Sequence, residues 1–569
     1  MAELDGRFSP VARAFEDGEF ALWVGSGISR RAPNLGGLVA RAVEFLRERA
    51  AATATSADYL PALREVVELA GMDPATLEPQ FGQPFATWPE QGQIVNALWT
   101  RYSRVLDIRI PREESDFILW EAINVRDAFA DARHPAAEHL CIAILVLEGA
   151  VKTIASANWD AFIEAAVHRL SGGILGTLQV VVDPSHMREP PGRATLLKLH
   201  GCIYYATIEP NTFRKYLVGS HTQLVDWPHK PAFAAMRNAA VMVATNQKAL
   251  VLGLSIQDAN LQGIFSQASQ VNSWPWPCDP AAPAHVFCED RIGQGQRDVL
   301  RVVYGDAYNH HSAAIHQAAH LRAWGEQVLI ALSLRVVFAK LVRLMALALK
   351  AMGKMPLIAP LVAQLNELRD AIAERATPDP VERSRTGVTE LGIRTWSRIA
   401  CIFRTGTLPA KPDAYEAISA FTPALIGADQ GAVASGLGQL AVALALLQRG
   451  QAVGRWELGP PTDDAATSGA LGAMSARAGA QRRPLFLVRS ATEALRLEGA
   501  GAFADDAIVV HADDTWAQAF GTRLSARRVR GAPGRTGRLG TTHISLGAML
   551  ARCDTAVALE AEFGSELIV

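Results

Sequence analysis

Short apolar runs alternate with helical stretches over the first half of the chain. Each run ends in a polar or glycine-rich turn, and a segment of helical periodicity follows it, which is the pattern of a parallel sheet covered by helices. The candidate strands are Phe20–Val24, Val151–Ser156, Leu178–Val182, Thr195–Leu199, Ala249–Leu254 and His285–Cys288. We therefore predict that the chain begins with an α/β unit built on a parallel sheet.

The segment between the first two candidate strands is long and helical in character. From Leu38 to Leu147 it is rich in Leu, Ala, Val, Glu and Arg, and loops that contain Pro74 and Pro84 interrupt it. This segment predicts a helical insertion on the sheet.

The pattern changes after the sixth candidate strand. Helical periodicity runs from about Ser312 to Glu374, and the polar, proline-containing stretch Arg375–Val388 suits a linker. A second α/β or α+β unit is predicted beyond Leu391, and its candidate strands are Pro484–Val488, Ala507–His511 and Ala556–Leu559. The predicted domains are residues 1–325, a helical connector and linker over 326–390, and residues 391–569.

The charge balance excludes a protein that is basic overall. The 569 residues hold 55 Lys and Arg against 57 Asp and Glu, so no global field attracts nucleic acid or anionic lipid. One local stretch is rich in arginine and lacks acid; it suits either a solvated loop or a patch for nucleic acid or an acidic partner. Its arginines are Arg523, Arg527, Arg528, Arg530, Arg535 and Arg538.

Membrane and secretory signals are weak in this sequence. The first ten residues lack the basic start and apolar run of a secretory signal. Of the longest apolar stretches, Val328–Leu349 contains three basic residues and Val433–Leu447 is short for a bilayer span. We expect a cytoplasmic protein with no membrane partner.

Cysteine spacing argues against a zinc module. The six cysteines are scattered, and no two of them have the C-x2-C spacing that places two thiolates on one zinc ion. We predict that the chain has no metal site.

Small residues follow the first candidate strand. Phe20–Val24 leads into Gly25-Ser26-Gly27-Ile28-Ser29, and a helix is predicted to begin near Asn34. Backbone N–H groups in such a turn can approach a phosphate closely, and a helix N-terminus favours an anion. A plain tight turn has the same composition, so the residues alone support both interpretations.

Polar side chains follow the second candidate strand. The run Ser156-Ala157-Asn158-Trp159-Asp160 places an amide and a carboxylate two residues apart at a strand end, where both can face one ligand. Either Asn158 or Asp160 could equally cap the helix that follows.

Two later strands also end in residues that can carry chemistry. In Lys198-Leu199-His200-Gly201, the histidine suits a general base or a structural role. In the run from Gly253 to Leu261, Asp258 suits a helix cap and Asn260 is expected to be free for a ligand. Ligands of open α/β sheets bind outside the carboxyl ends of the strands, so the four turns together predict one ligand site.

These four segments, in this order, resemble the sirtuin (SIR2) superfamily, specifically its bacterial branch of NAD-degrading antiphage-defence proteins. The resemblance covers about residues 12–325 and implies a Rossmann-like sheet that binds NAD⁺. It implies that Asn158 positions the nicotinamide ribose, that Asp160 contacts the carboxamide and that His200 is the catalytic base. The implied cofactor-binding residues are Gly25, Ser26, Gly27 and Ser29 at the phosphates, Gly253 and Ser255 on the adenosine side, and Ser156, Asp258 and Asn260.

The chain also departs from the sirtuin pattern. Deacylating sirtuins carry a zinc module with two cysteine pairs and a glutamine before the catalytic asparagine, whereas this chain lacks the pairs and has Ala157 at that position. The resemblance therefore implies an NAD⁺ glycohydrolase that uses water as the acceptor and needs no zinc, with ADP-ribose or cyclic ADP-ribose as product.

The same resemblance implies an effector of abortive infection that a sensor activates. The activator would be the C-terminal part of the chain or a protein encoded nearby, such as a short Argonaute or a HerA-type ATPase, in a homo- or hetero-oligomer. Nucleic acid would be contacted through that partner or through the arginine-rich stretch. Two alternatives stay open: a catalytically silent NAD⁺ or ADP-ribose sensor, and an NAD-dependent protein deacylase.

Overall fold

The first half of the chain is built around a parallel sheet. The computed structural model describes residues 1–29, 35–129, 134–377, 385–460, 474–503, 506–513 and 541–567. The strands are β1 (Phe20–Val24), β2 (Thr153–Ser156), β3 (Leu178–Val181), β4 (Ala194–Lys198), β5 (Lys248–Leu252), β6 (His285–Cys288) and β7 (His320–Leu321). Their order is β3-β4-β2-β1-β5-β6-β7, and every neighbouring pair is parallel. The predicted Rossmann-like α/β fold is confirmed.

Both faces of this sheet are covered, which explains its near-continuous apolar strands. All five residues of β1 are buried. Ala21 and Trp23 face one hydrophobic core, whereas Phe20, Leu22 and Val24 face the core on the other side.

The predicted helical insertion lies between β1 and β2. Its α-helices are Leu35–Ala51, Ser56–Leu69, Pro74–Leu77, Gln91–Trp99, Tyr102–Val105, Val125–Ala128 and Ala137–Leu147, with a π-helical turn at Ile118–Ala122. Most of the insertion packs on the Trp23 side of the sheet, whereas the apolar helix Ala137–Leu147 packs on the Leu22 side.

Further helices complete the layers around this sheet. Two short helices, Ala2–Asp5 and Ser9–Glu16, precede β1. Those between β2 and β7 are Phe162–Leu170, Ile203–Ile208, Pro210–Phe213, His221–Asp226, Ala234–Asn246, Ala259–Val271, Gln294–Tyr304 and Asp306–Ala319.

One long helix joins the two halves of the chain. Gly325–Ala351 places residues such as Val336 in the core beneath the first sheet and residues such as Met345 in the core of the second half. Helix Ile358–Arg375 packs beside it, and helix Arg385–Thr405 follows. Part of the predicted linker, residues 378–384, lies outside the described residues, and the predicted domain boundaries stay predictions.

The second half contains a mixed sheet, which confirms the predicted second α/β unit. Its strands are β8 (Glu457–Gly459), β9 (Met474–Ala478), β10 (Gln481–Val488), β11 (Ile508–His511) and β12 (Thr542–Ser545). They lie in the order β12-β11-β10-β9-β8, and the three from β10 to β12 are parallel. The helices of this half are Gln430–Ala434, Leu437–Ala452, Ala491–Gly499, Leu546–Arg552 and Ala556–Glu566.

One strand prediction in this half is wrong. Residues 556–559 form the first turn of helix Ala556–Glu566, not a strand. The hydroxyl of Thr555 accepts a hydrogen bond from the N–H of Ala558 at 3.3 Å, which caps the helix.

The arginine-rich stretch that contains Arg523, Arg527, Arg528, Arg530, Arg535 and Arg538 lies outside the described residues. Within the described ranges, no helix combines the length and the apolar character that a bilayer span requires.

Candidate active site

The four predicted turns meet at one edge of the first sheet. Val24 pairs with Ser156 and with Leu252, and Ser156 pairs with Lys198, so the strands end at the same level. The turns that follow β1, β2, β4 and β5 therefore lie side by side, with neighbouring strands about 4.8 Å apart. The sequence prediction that these turns form one edge is correct.

The glycines of the first and fourth turns make close backbone contacts. A Cβ atom added to Gly25 would lie 2.5 Å from the Gly253 carbonyl oxygen, and one added to Gly27 would lie 2.6 Å from the Gly253 Cα. Gly253 itself has a φ of +59°. The glycines are therefore required by turn packing, while Ser26 and Gly27 remain exposed.

Asn158 is held by hydrogen bonds from three sides. Its Nδ2 donates to the Gly25 carbonyl and to Ser29 Oγ, each at 3.1 Å, and its backbone N–H donates to Ser156 Oγ at 3.1 Å. The residue is 7% exposed. Asn158 is therefore not the cap of the next helix; both amide hydrogens are used, and Oδ1 makes no hydrogen bond within the described residues.

Asp160 takes part in starting the helix Phe162–Leu170. Its Oδ1 accepts a hydrogen bond from the Phe162 N–H at 3.3 Å. The Lys198 ammonium donates to the Asp160 backbone carbonyl and lies 3.3 Å from Glu164. Asp160 is buried, and the neighbouring Lys198 fixes its backbone.

His139 belongs to the site and was missed from the sequence. Its Nδ1 accepts the Ala136 N–H at 3.2 Å, which places the ring proton on Nε2, 3.2 Å from Ser29 Oγ. Ser29 Oγ thus receives a hydrogen bond from His139 as well as from Asn158. The available signal was a histidine inside the otherwise apolar helix Ala137–Leu147, because a buried polar group needs a partner.

His200 lies in a mostly enclosed position at the end of β4. Its Nε2 is 3.3 Å from Asp258 Oδ2, and its ring stands edge-on to Trp227 at a centroid distance of 5.8 Å. The Val218 N–H donates to the His200 carbonyl at 3.0 Å. Gly201 follows with a φ of +82°, which directs the chain away from the sheet.

The fourth turn differs in part from the sequence prediction. Asp258 caps helix Ala259–Val271 as predicted, since its Oδ1 accepts the Asn260 N–H at 2.9 Å. Asn260 is not free for a ligand, because its Nδ2 donates to the Leu224 carbonyl. Ser255 is exposed, and the β-branched Ile256 has a φ of +50°, an unfavourable conformation that functional loops often hold.

A small cleft opens beside these turns, at the ends of β1, β5 and β6. It is lined by Gly27, which the resemblance assigns to the phosphates, and by Gly253, which it assigns to the adenosine side. Its carboxylates were missed from the sequence: Glu138, Glu289 and Glu326. Glu289 directly follows β6, so the strand-end argument used for the other turns could have found it.

The cleft also contains a thiol, Cys288. Burial raises the pKa of the Cys288 thiol well above its usual range, so it is not an activated nucleophile. Across the described ranges, no cluster of three or more His, Cys, Asp or Glu side chains is arranged to hold a metal ion.

Comparison with protein families agrees with this geometry. Residues 152–275 match a family model described as a SIR2-like domain. The chain contains a SIR2-like domain. The matched span runs from the start of β2 into the Pro-rich loop after helix Ala259–Val271, and it includes Asn158, His200 and Asp258. The match supports an NAD-related enzyme superfamily for this domain. Among curated proteins, none matches this chain.

The matched span begins after the first turn of the site. Gly25 and Ser29 therefore lie outside it, yet both accept hydrogen bonds from Asn158 within the span. The glycine turn thus belongs to the same site as the SIR2-like segment by contact.

Proposed function

We propose that the SIR2-like domain cleaves NAD⁺ between nicotinamide and ribose, with water as the acceptor. The observation that carries this proposal is the meeting of an immobilised Asn158 and an enclosed His200 at one sheet edge, with a cleft beside them. Ligands of open α/β sheets bind at this edge.

The chemistry needs a held sugar, a proton acceptor and a fixed leaving group. The Oδ1 of Asn158 is the atom that we assign to the nicotinamide ribose, because the hydrogen bonds of Nδ2 fix its direction. His200 accepts the proton of the attacking water, a role typically worth about 10²–10⁴-fold in rate. Asp160 is assigned to the carboxamide.

The adenosine half would lie in the cleft. Most N–H groups of the first turn, including those of Gly27 and Ser29, donate to backbone carbonyls, so this turn would meet the diphosphate mainly at the exposed Ser26. A carboxylate at the end of a neighbouring strand suits ribose hydroxyls, and Glu289 has that position after β6.

We propose further that this activity serves bacterial antiphage defence and is controlled by the second half of the chain or by a partner. In support, a close contact joins the two halves: a Cβ on the buried Gly149 would lie 1.9 Å from the carbonyl oxygen of Ala420, so the two backbones touch. Gly149 shortly precedes β2, which leads to Asn158. A short Argonaute or a HerA-type ATPase encoded nearby would be the partner.

The test is nicotinamide release from NAD⁺ by the purified chain, alone and after co-expression with its genomic neighbours. Asn158→Ala is expected to abolish release, while the exposed Asn309→Ala serves as the matched control and retains it. The mass of the second product separates ADP-ribose from cyclic ADP-ribose, which lacks the added water.

Two outcomes would replace the proposal. Tight NAD⁺ binding without turnover, with every neighbour present, would identify a sensor. Release that occurs only with an acetylated peptide would identify a deacylase.

A further inference from the structure

Asp258 and His200 approach each other from two separate strands of the first sheet. β4 leads to His200 and β5 leads to Asp258, and the strand order places β2 and β1 between β4 and β5. The two loops therefore close over the ends of β2 and β1, where Asn158 and Gly25 lie. Nε2 of His200 and Oδ2 of Asp258 are 3.3 Å apart, and the side chains are 11% and 14% exposed.

The two carboxylate oxygens of Asp258 have different surroundings. Oδ1 accepts the Asn260 N–H at 2.9 Å, and this helix cap fixes the direction of the carboxylate. Oδ2 is buried and has no hydrogen bond at the observed geometry within the described residues. A buried carboxylate oxygen without a donor is costly, so a small closure of the 3.3 Å gap to His200 is favourable.

An aromatic side chain packs against this pair. Trp227 stands against one side of the imidazole, with 5.8 Å between ring centroids. Burial, and after it the charge of Asp258, raises the pKa of the Tyr102 phenol. Because both side chains are largely enclosed, water screens the attraction between the carboxylate and a protonated imidazole only weakly.

We propose that Asp258 is a positioning residue for His200. Its carboxylate accepts a hydrogen bond from Nε2–H, which keeps the ring proton on Nε2 and leaves Nδ1 as the nitrogen that accepts the proton of the attacking water. This inference rests on the proposed function. Neither ring nitrogen of His200 makes a hydrogen bond at the observed geometry within the described residues, but Nε2 is buried and faces Asp258 Oδ2 at 3.3 Å.

The reaction balances with this assignment. The bond between nicotinamide and C1′ of the ribose breaks, and the electron pair leaves with nicotinamide, which becomes neutral. A water oxygen bonds to C1′, and its proton passes to Nδ1 of His200. Asp258 then stabilises the imidazolium through Nε2–H, and solvent later removes the proton, giving ADP-ribose, nicotinamide and H⁺ from NAD⁺ and water.

The decisive variant is Asp258→Asn in the full chain. Asparagine caps a helix as well as aspartate does, so Oδ1 can still accept the Asn260 N–H. Its amide would instead donate to Nε2 of His200 and move the ring proton to Nδ1, which then cannot accept a proton. A catalytic histidine held in the wrong tautomer loses most of its activity in a known enzyme class. We therefore expect kcat to fall by roughly 10²–10⁴-fold, with KM within about threefold of the wild-type value.

Two variants serve as controls. Asp73 also caps a helix and lies on the exposed surface, so Asp73→Asn repeats the chemical change away from the site and keeps full activity. Asp258→Ser keeps a good capping residue but removes the group that reaches His200, so it is also expected to lower kcat.

A spectroscopic measurement separates positioning from folding. In chains labelled with ¹⁵N-histidine at about pH 8, where an ordinary histidine is mostly neutral, the His200 signals are identified by their loss in His200→Gln. The proposal expects protonated Nε2 in the wild type and protonated Nδ1 in Asp258→Asn. The same tautomer in both proteins, or a kcat within threefold of wild type, would overturn it.

The tautomer measurement also separates this inference from the proposed function. If the wild type never cleaves NAD⁺, the proposed function fails, and a tautomer that changes in Asp258→Asn still supports the pairing of Asp258 with His200. An unchanged tautomer overturns the pairing whether or not NAD⁺ is cleaved.

Discussion

The ammonium of Lys340 lies 2.6 Å from Oε2 of Glu148, and neither side chain is exposed. Lys340 also donates to the carbonyls of Glu148 at 2.7 Å and Ser419 at 2.6 Å. The other carboxylate oxygen accepts the Tyr415 hydroxyl at 2.8 Å and the Ile418 N–H at 3.0 Å. In this network both carboxylate oxygens of Glu148 and the ammonium of Lys340 have hydrogen-bond partners. It joins the long helix, the segment before β2 and the second half of the chain.

Lys340→Met is expected to destabilise the protein strongly. It leaves the Glu148 carboxylate buried without its cation, a change that costs about 3–5 kcal/mol, and the urea midpoint of unfolding should fall. Lys350 lies exposed on the same helix, so Lys350→Met should leave the midpoint nearly unchanged. Equal midpoints for the two variants would show that the network does not stabilise the junction.

Ser29→Ala tests the hydrogen bonds that fix Asn158. The change removes the acceptor of His139 Nε2 and one of the two acceptors of Asn158 Nδ2. Unsatisfied buried donors cost about 1–3 kcal/mol, and a misplaced catalytic side chain can cost about 10²-fold in rate. Nicotinamide release should therefore fall, whereas the exposed Ser185→Ala should not change it. Full activity of Ser29→Ala would show that the hydrogen bonds of Ser29 are not needed to position Asn158.

Gly25→Ala tests the contact between the first and fourth turns. The added Cβ would lie 2.5 Å from the Gly253 carbonyl oxygen. That oxygen belongs to the backbone, so it cannot rotate away as a side chain could. We expect a loss of about 1–3 kcal/mol in stability and weaker NAD⁺ binding by calorimetry. Gly263 lies in a helix with open space around it, so Gly263→Ala should stabilise by about 0.5–1 kcal/mol. A neutral Gly25→Ala would contradict the packing.

His285 predicts a dependence of stability on pH. Burial beside Phe265 and Tyr304 lowers the pKa of His285 from 6.5 to about 3. The unfolded chain binds a proton as pH falls through about 6.5, but the folded chain does not until about 3, so acid favours unfolding. Between pH 7 and pH 5 this group should remove about 2 kcal/mol of stability.

The variant His285→Phe should lose that part of the pH dependence, as measured by urea unfolding at the two pH values. The exposed His310→Phe should keep the wild-type dependence. If His285→Phe loses as much stability as the wild type on acidification, His285 is not the group responsible.

The first sheet was predictable because its strands are buried on both faces and read as apolar runs. β1 and β6 match the prediction over their full lengths, and β4 differs by one residue at each end. β8 and β9 were missed because they are partly exposed and carry polar residues such as Glu457 and Arg477. A four-residue apolar run fits either a strand or a helix turn, which explains the error at residues 556–559.

The sequence predicts which strand ends form the candidate site, but not which side chains contact each other there. The pairing register of β2 with β4 places Asn158 and His200 at one edge of the first sheet, as the sequence implied. His139 and Ser29, by contrast, are 110 positions apart and meet only because helix Ala137–Leu147 packs beneath β1. The approach of Asp258 to His200 depends in the same way on loops that reach across two intervening strands.

Whether this edge of the first sheet cleaves NAD⁺ is decided by the rate of nicotinamide release at saturating NAD⁺. The wild type, in whichever partner complex activates it, should release nicotinamide, and so should the exposed control His310→Ala, whereas His200→Ala should release it at least about 10²-fold more slowly. Release by His200→Ala at the wild-type rate, or none by the wild type with every neighbour present, would contradict the account.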